Sequence, residues 1–278
     1  MKTKKKWINI SILVVLLLGA VVMVFPFYYM FITSLKQAAY VFTVPPQLIP
    51  KPATFENYIF VWKEANFGRY FLNSVTITVP GVALNVFLSA LTAYGFARYD
   101  FPLKEVIFSL LIATLSVPGL LLIIPQFQIV SRFGFLIDNK LTVILTAGAG
   151  GIAFNAFFLR GFFEGLPKEI EESAEIDGCN AFQVFWYIVM PMARPAIATL
   201  VIMSFLGIWD DYFWPSLILQ SKHNWTLPIG IMALKGQHTV RWNLIFAGTM
   251  IAVTPVLIIY FLLQKYFVKA VAEGGLKL

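Results

Sequence analysis

Half of the 14 acidic residues of this 278-residue chain gather in two places. Glu169, Glu171, Glu172, Glu175 and Asp177 fall within nine positions, and Asp210 and Asp211 are adjacent inside a strongly apolar stretch. Carboxylates so placed could bind a metal, relay protons or pair with a cationic partner. The first group carries no histidine or cysteine at ligand spacing, and the single cysteine, Cys179, excludes an internal disulfide. His223 and His238 have no spaced partner either. No nucleophile–base constellation and no Gly-x4-Gly-Lys-[Ser/Thr] loop occurs, so the chain is read as neither a catalyst of covalent chemistry nor a nucleotide binder. What remains is recognition: an acidic surface helix, and charges held within an apolar segment.

The helix is delimited by its own residues. Pro167 suits a first helical position and Gly178 a stop, which predicts about 11 residues and roughly 16 Å of helix. Glu169, Glu171 and Glu172 favour its N-terminal half electrostatically. Ile170 and Ala174, at i and i+4, offer a small apolar strip inside an acidic rim. A helix this short is marginal alone in water, so something must hold it. It is expected either to lie on the protein's own surface or to meet a partner.

The elements that position these groups are membrane spans. Hydrophobic residues make up 59% of the chain and charged residues 13%, too few to build a soluble surface. Crossing about 30 Å of hydrocarbon takes roughly 20 helical residues. Charge-free stretches of that order lie between Lys6 and Lys36, Arg69 and Arg98, Glu105 and Arg132, Lys140 and Arg160, and Arg241 and Lys265. A sixth, 196–219, is apolar except for Asp210 and Asp211. The first is too long for a signal peptide and lacks a small-residue cleavage site. The expected fold is an all-α integral membrane protein of about six transmembrane helices. The whole chain, 1–278, is read as a single transmembrane domain, with loop 160–195 between spans 4 and 5. Lys2, Lys4, Lys5 and Lys6 place the N-terminus in the cytoplasm, and an even number of spans returns the C-terminus there. The prolines at 45, 46, 50 and 52 put an extracytoplasmic loop after the first span. The net charge of +7 is spread singly or confined to the N-terminus, which gives nucleic acid no basic domain.

Glu172-Ser173-Ala174, three residues, Gly178, nine residues, then Ile188-x-Met190-Pro191 resembles the EAA loop of ABC-importer permeases, with Ser173 and Met190 as mild departures. The run from Leu166 to Gly178 resembles the carbohydrate-importer branch in particular. The likeness extends to Asn73-Ser74, Ala93-Tyr94-Gly-Phe-Ala-Arg98, Phe157-Phe-Leu-Arg160, Trp209-Asp-Asp-Tyr-Phe-Trp-Pro215, Thr226-Leu-Pro-Ile-Gly230 and Gln264-Lys-Tyr-Phe-Val268. Asp210 stands where the family usually has asparagine. The ending Gly274-Gly-Leu-Lys-Leu278 departs from the family pattern, which leaves a tail contact with the ATPase open. The resemblance implies a permease subunit in the bacterial inner membrane, working with a second permease, two cytoplasmic ATPase subunits that bind ATP and Mg, and an extracytoplasmic solute-binding protein. It implies that the acidic helix is the coupling helix, with Glu172, Ser173, Ala174, Asp177, Gly178 and Ile188 at the ATPase and Pro191 restarting the next helix. Sugar or oligosaccharide is the implied cargo, with a non-sugar solute such as glycerol phosphate as an alternative.

Asp210 and Asp211, with Trp209 and Asn73, are the candidate translocation-pathway residues, because intramembrane carboxylates face a wet cavity or a partner. They sit near a helix break expected at Pro215. Trp209, Tyr212 and Trp214 also fit an interfacial aromatic belt, and Asn73 and Asn85 fit hydrogen-bonded bridges between helices. An ion-coupled secondary carrier built on Asp210 and Asp211 is the alternative from another class, and a structural membrane subunit a third.

Overall fold

The computed structural model describes residues 2–236 and 240–274, with side chains over 9–236 and 240–264. His238 and the tail residues 275–278 lie outside it, as do the side chains of Lys2, Lys4, Lys5 and Lys6. The described residues form helices and no strand. In chain order they are α1 (Lys2–Ser34), α2 (Glu56–Lys63), α3 (Phe67–Arg98), α4 (Lys104–Ala113), α5 (Gly119–Arg132), α6 (Lys140–Ala149), α7 (Ile152–Glu164), α8 (Lys168–Ile176), α9 (Ala181–Gln183), α10 (Met190–Met192), α11 (Arg194–Trp209), α12 (Phe213–Ile218), α13 (Leu227–Ala233) and α14 (Trp242–Gly274).

Among the described residues, four stretches are long and apolar enough to cross a bilayer: Asn9–Ser34, Phe67–Arg98, Arg194–Ile218 and Trp242–Gln264. The expected third and fourth spans are bent pairs. Lys104–Ser116 and Gly119–Arg132 meet at 101°, and Lys140–Ala149 and Ile152–Glu164 at 42°. The sequence shows why. Proline pushes the residue before it out of the α region, and Val117 is extended (φ −91°, ψ 116°) ahead of Pro118. Neither arm of this pair, about 20 Å long, covers 30 Å alone. The milder bend falls at Gly150-Gly151, where Gly151 takes φ +71°.

The chain divides into two compact units. The first comprises residues 1–68 and 230–254. Its polar centre is Asn57, whose amide donates to the carbonyls of Ser34 (2.7 Å) and Lys36 (2.8 Å) and accepts from Asn243 (2.7 Å). These bonds fasten α2 to the end of α1 and to α14. The proline-rich segment is tied down as well. Lys36, 1% exposed, donates to the Gln47 carbonyl at 2.6 Å, and the Tyr28 hydroxyl to that of Leu48 at 2.7 Å. Burial pulls the Lys36 ammonium below the usual lysine range. Gly248 is required here for close approach: a Cβ would stand 2.7 Å from the Phe67 ring.

The second unit, residues 69–229 and 255–278, holds both acidic groups. Its core gathers Ile77, Val130, Val143, Trp214, Ile218, Leu219 and Ile229. A Cβ on Gly148 would lie 2.5 Å from Leu84, so α3 and α6 touch through the glycine. Beside it is a knot of neutral polar side chains. Asn85 donates to the carbonyls of Gly148 (3.2 Å) and Gly150, and accepts from Asn155 (2.7 Å) and Ser204 (2.9 Å). Carbonyls freed by a broken helix need a donor where water is absent, and Asn85 supplies it at the α6–α7 bend.

Candidate functional site: the acidic helix and the broken fifth span

α8 begins one residue later than the proline suggested. Pro167 is its N-cap, with φ −59° and ψ 124°, and helical residues start at Lys168. Its C-terminus closes as a Schellman motif: the Gly178 amide donates to the Glu175 carbonyl and the Cys179 amide to that of Ala174, both at 3.0 Å. That closure places Gly178 at φ +91°, which an L side chain adopts only with strain.

The face that α8 turns inward differs from the expected one. Ala174 is buried, whereas Ile170 stays 42% exposed. The second inward residue is Glu171, 7% exposed. The cause is a charge. Arg98, at the end of α3, donates from Nε to Glu171 Oε1 at 2.7 Å, and its Nη2 lies 2.5 Å from the same oxygen. Tyr94, one turn earlier, donates to Oε2 at 3.2 Å. Nη2 also reaches the Leu166 carbonyl at 3.1 Å, just before α8. The Tyr94 ring packs on Phe185 (5.2 Å) and Phe163 (6.3 Å), which closes an aromatic wall around the pair. A buried carboxylate requires such pairing and hydrogen bonding. The sequence held a signal for it: Glu171 lies three residues before Ala174, hence on its face of the helix. Glu169, Glu172, Ser173, Asp177 and Gly178 remain exposed, and Ile176 is an 87% exposed apolar knob among them. That is a surface suited to a partner with a basic rim and a small apolar socket.

Beyond α8 the chain does not wait for Pro191 to become helical. Asn180 and Gln183 form a reciprocal capping box, and helix resumes at Ala181. Val184–Val189 then widens into a π segment ending directly before Met190-Pro191. Proline lacks an N–H and its ring crowds the carbonyl four residues back, which a widened turn relieves. Pro191 thus sits in the first turn of α10, while the start of the long α11 carries Pro195. Ile188 and Pro191 are partly buried.

The fifth span breaks at the aspartates, four to five residues before Pro215. α11 ends at Trp209, Asp210 is its C-cap and is exposed, and Asp211 caps the next helix through its Oδ1 and the Trp214 amide, a long bond of 3.4 Å. Pro215 lies in the first turn of α12, where no N–H is needed. Among the described residues no lysine, arginine or histidine lies within ion-pair distance of either aspartate. The tryptophans point inward. Trp209 stacks on Phe205 (5.3 Å) and meets the edge of Phe71 (5.9 Å), while Trp214 donates from Nε1 to Thr146 at 2.7 Å. Both are buried, so they anchor packing inside the unit rather than a belt on its surface.

Asn73 has its amide fully engaged. It donates to the carbonyls of His223 and Trp225, each at 2.9 Å, and accepts from Lys140 at 2.6 Å. Close by in the chain, Ser74 accepts from the Leu227 amide at 2.9 Å. Asp138, which sequence reasoning passed over, ties the 133–139 loop to the segment after α12. Its backbone N–H donates to the Ile218 carbonyl at 2.8 Å, and its carboxylate accepts from the Ser221 amide at 3.0 Å and from the Ser221 hydroxyl. Burial pushes its pKa up, but the hydrogen bonds from Ser221 and Asn224 outweigh that and hold it below the usual aspartate range. Among the described residues no group of three or more His, Cys, Asp or Glu side chains is placed to hold a metal.

Comparison with known proteins places this arrangement. Residues 85–273 match the family described as binding-protein-dependent transport system inner membrane component. The chain is 34% identical over 261 residues to the diacetylchitobiose uptake system permease protein NgcG of Streptomyces coelicolor, covering 93% of this chain and 86% of the relative. It is 32% identical over 256 residues to the arabinooligosaccharides transport system permease protein AraQ of Bacillus subtilis, covering 91% and 90%. A crystal structure of a bacterial ABC transporter involved in the import of the acidic polysaccharide alginate contains a chain that superposes with TM-score 0.78 at 24% identity, over 95% of this chain and 98% of that one. With the family model covering more than half of its length, this chain belongs to the binding-protein-dependent transport system inner membrane components, as a multi-pass membrane permease.

Proposed function

We propose that this permease carries a sugar or oligosaccharide through the inner membrane as half of a translocation pathway, driven by a separate ATPase that seats on α8. The observation that carries the reading is the geometry of α8: a capped acidic helix fixed to its own unit along the Glu171–Ala174 face and open along the face of Glu169, Glu172, Ser173 and Ile176. The cargo class is supported by relatives named for diacetylchitobiose, arabinooligosaccharides and melibiose, raffinose and stachyose. A second permease, two ATPase subunits holding ATP and Mg, and a solute-binding protein complete the assembly. The binding protein is supported by the second alginate transporter structure, solved with a periplasmic protein bound. Both termini lie in the cytoplasm on this reading, which puts α8 on the ATPase side and the 219–227 segment outside.

ATP-driven closure of the ATPase pair moves the two coupling helices together and shifts the permease pair between two packed states. Asp210 and Asp211, at the α11–α12 break with no cationic partner among the described residues, are the groups available to hydroxyl-rich cargo in the pathway. The test is purification of this chain from native membranes in mild detergent, with co-purifying subunits identified by mass spectrometry. A P-loop ATPase and a second permease are expected. Recovery of the intact chain alone, stable and without an ATPase, would sink the reading.

A further inference from the structure

α8 is joined to the chain on either side by turns rather than by continuous helix. Gly165-Leu166-Pro167 precedes it, and Asp177 to Asn180 follow it with Gly178 at φ +91°. Displacement of α8 therefore reaches α7 and α11 through bends. α8 also has a lateral side-chain connection, to α3. The Arg98 and Glu171 side chains are 6% and 10% exposed and share two contacts to one oxygen, with Tyr94 on the other oxygen and the Leu166 carbonyl on the guanidinium. Parting a desolvated pair strands a charge, whereas moving the two together leaves every bond intact.

We infer that Arg98 and Glu171 are positioning residues forming a strut that makes α3 travel with the coupling helix, so that α3 works as a push rod. This rests on the proposed function. α3 runs unbroken from Phe67 to Arg98, about 48 Å at 1.5 Å per residue. At its other end Asn73 and Ser74 grip the 223–227 segment through three hydrogen bonds to its backbone. In between, Asn85 holds the carbonyls at the α6–α7 bend. A push at α8 thus arrives, through one rod, at the bend of the fourth span and at the segment beyond the fifth. Along the chain, both places lie beyond the turns that flank α8.

The experiment replaces the ion pair by a removable covalent link. Arg98→Cys and Glu171→Cys are combined in a Cys179→Ser parent, which removes the only native cysteine. The complete transporter is reconstituted in liposomes, and uptake of radiolabelled diacetylchitobiose, arabinotriose or raffinose, whichever the parent takes up, is measured per ATP hydrolysed before and after bridging with a short bis-methanethiosulfonate. The unbridged variant is expected to lose coupling by about tenfold, and bridging to restore it to within about twofold. Because the link is added after folding and assembly, recovery reports coupling and not folding. Unchanged coupling before bridging, no recovery after it, or arrest of turnover by the bridge each overturns the strut. A parent without ATP-dependent uptake overturns the proposed function and the strut with it. A parent that transports while its bridged variant stalls overturns the strut alone.

Discussion

Glu171 and Asp211 are both carboxylates drawn out of water, and they are stabilised in opposite ways. Glu171 faces a guanidinium, a phenol and an aromatic wall, and every bond it makes reaches another helix. Asp211 accepts a long bond from the Trp214 amide three residues on, and no cation of the described residues is near. The first is a joint between elements; the second is a local cap on the first turn of the next helix. A cluster of acids in a sequence therefore does not have one meaning. What separates the two is whether the fold brings a cation to them.

The largest effect that would break this contrast is at the joint. Arg98→Ala leaves Glu171 buried and unpaired, and the unfolding free energy of the purified permease should fall by about 3–5 kcal/mol. A loss under about 1 kcal/mol, the value of an exposed pair, would mean the site is wet. Gly178→Val should come next, at about 1–3 kcal/mol, because the Schellman closure demands φ +91°. Nothing lies within 4 Å of its Cβ position, so the cost is conformational, and Gly178→Asn should recover most of it by tolerating the left-handed region. At the cap, Asp211→Ala should cost about 0.5 kcal/mol and Asp211→Asn almost nothing. Asp210→Asn should leave stability unchanged, since its carboxylate makes no hydrogen bond or ion pair among the described residues; a change in uptake affinity or rate would identify it with the pathway. Normal uptake in both Asn variants would remove the aspartates from it. The smallest effect is on pH. Asp138 has a depressed folded pKa, so its contribution is complete above the ordinary aspartate value near 4 and is lost as pH falls through the lower folded value. Asp138→Asn should flatten the acid limb of the stability curve.

The six apolar stretches, the acidic helix with its glycine stop and the spacing of its loop were legible because each depends on local composition and on the rise of one helix. The bend at Val117-Pro118 was equally local, yet it was hidden by counting charge-free residues, a measure blind to proline. Placement of the fifth-span break at Pro215 failed for a related reason. Proline fits the first turn of a helix, so it marks the start of α12 rather than the interruption, which Asp210-Asp211-Tyr212 provides. The spacing to Ala174 fits both Ile170 and Glu171, and the choice of Glu171 depends on an arginine 73 residues earlier in the chain. The same holds for Asn85, whose partners at Gly148, Gly150, Asn155 and Ser204 are assembled only by the tertiary fold.

The first and second spans also differ in what they ask of their surroundings. In the 18-residue apolar window of α1, of mean hydropathy 2.9, nothing is buried, whereas that of α3 is 44% buried. Leu, Ile, Phe and Val each favour insertion by about 0.3–0.6 kcal/mol at a helix centre, so α1 satisfies itself in lipid with no neighbour present. α3 cannot, because Asn73, Ser74, Thr78, Asn85 and Ser89 come to rest inside protein. During synthesis, then, α1 can enter the bilayer as soon as it leaves the ribosome and stay. α3 reaches its lowest free energy only after α6, α7, α11 and the 223–227 segment have been made, and until then its polar side chains need other cover.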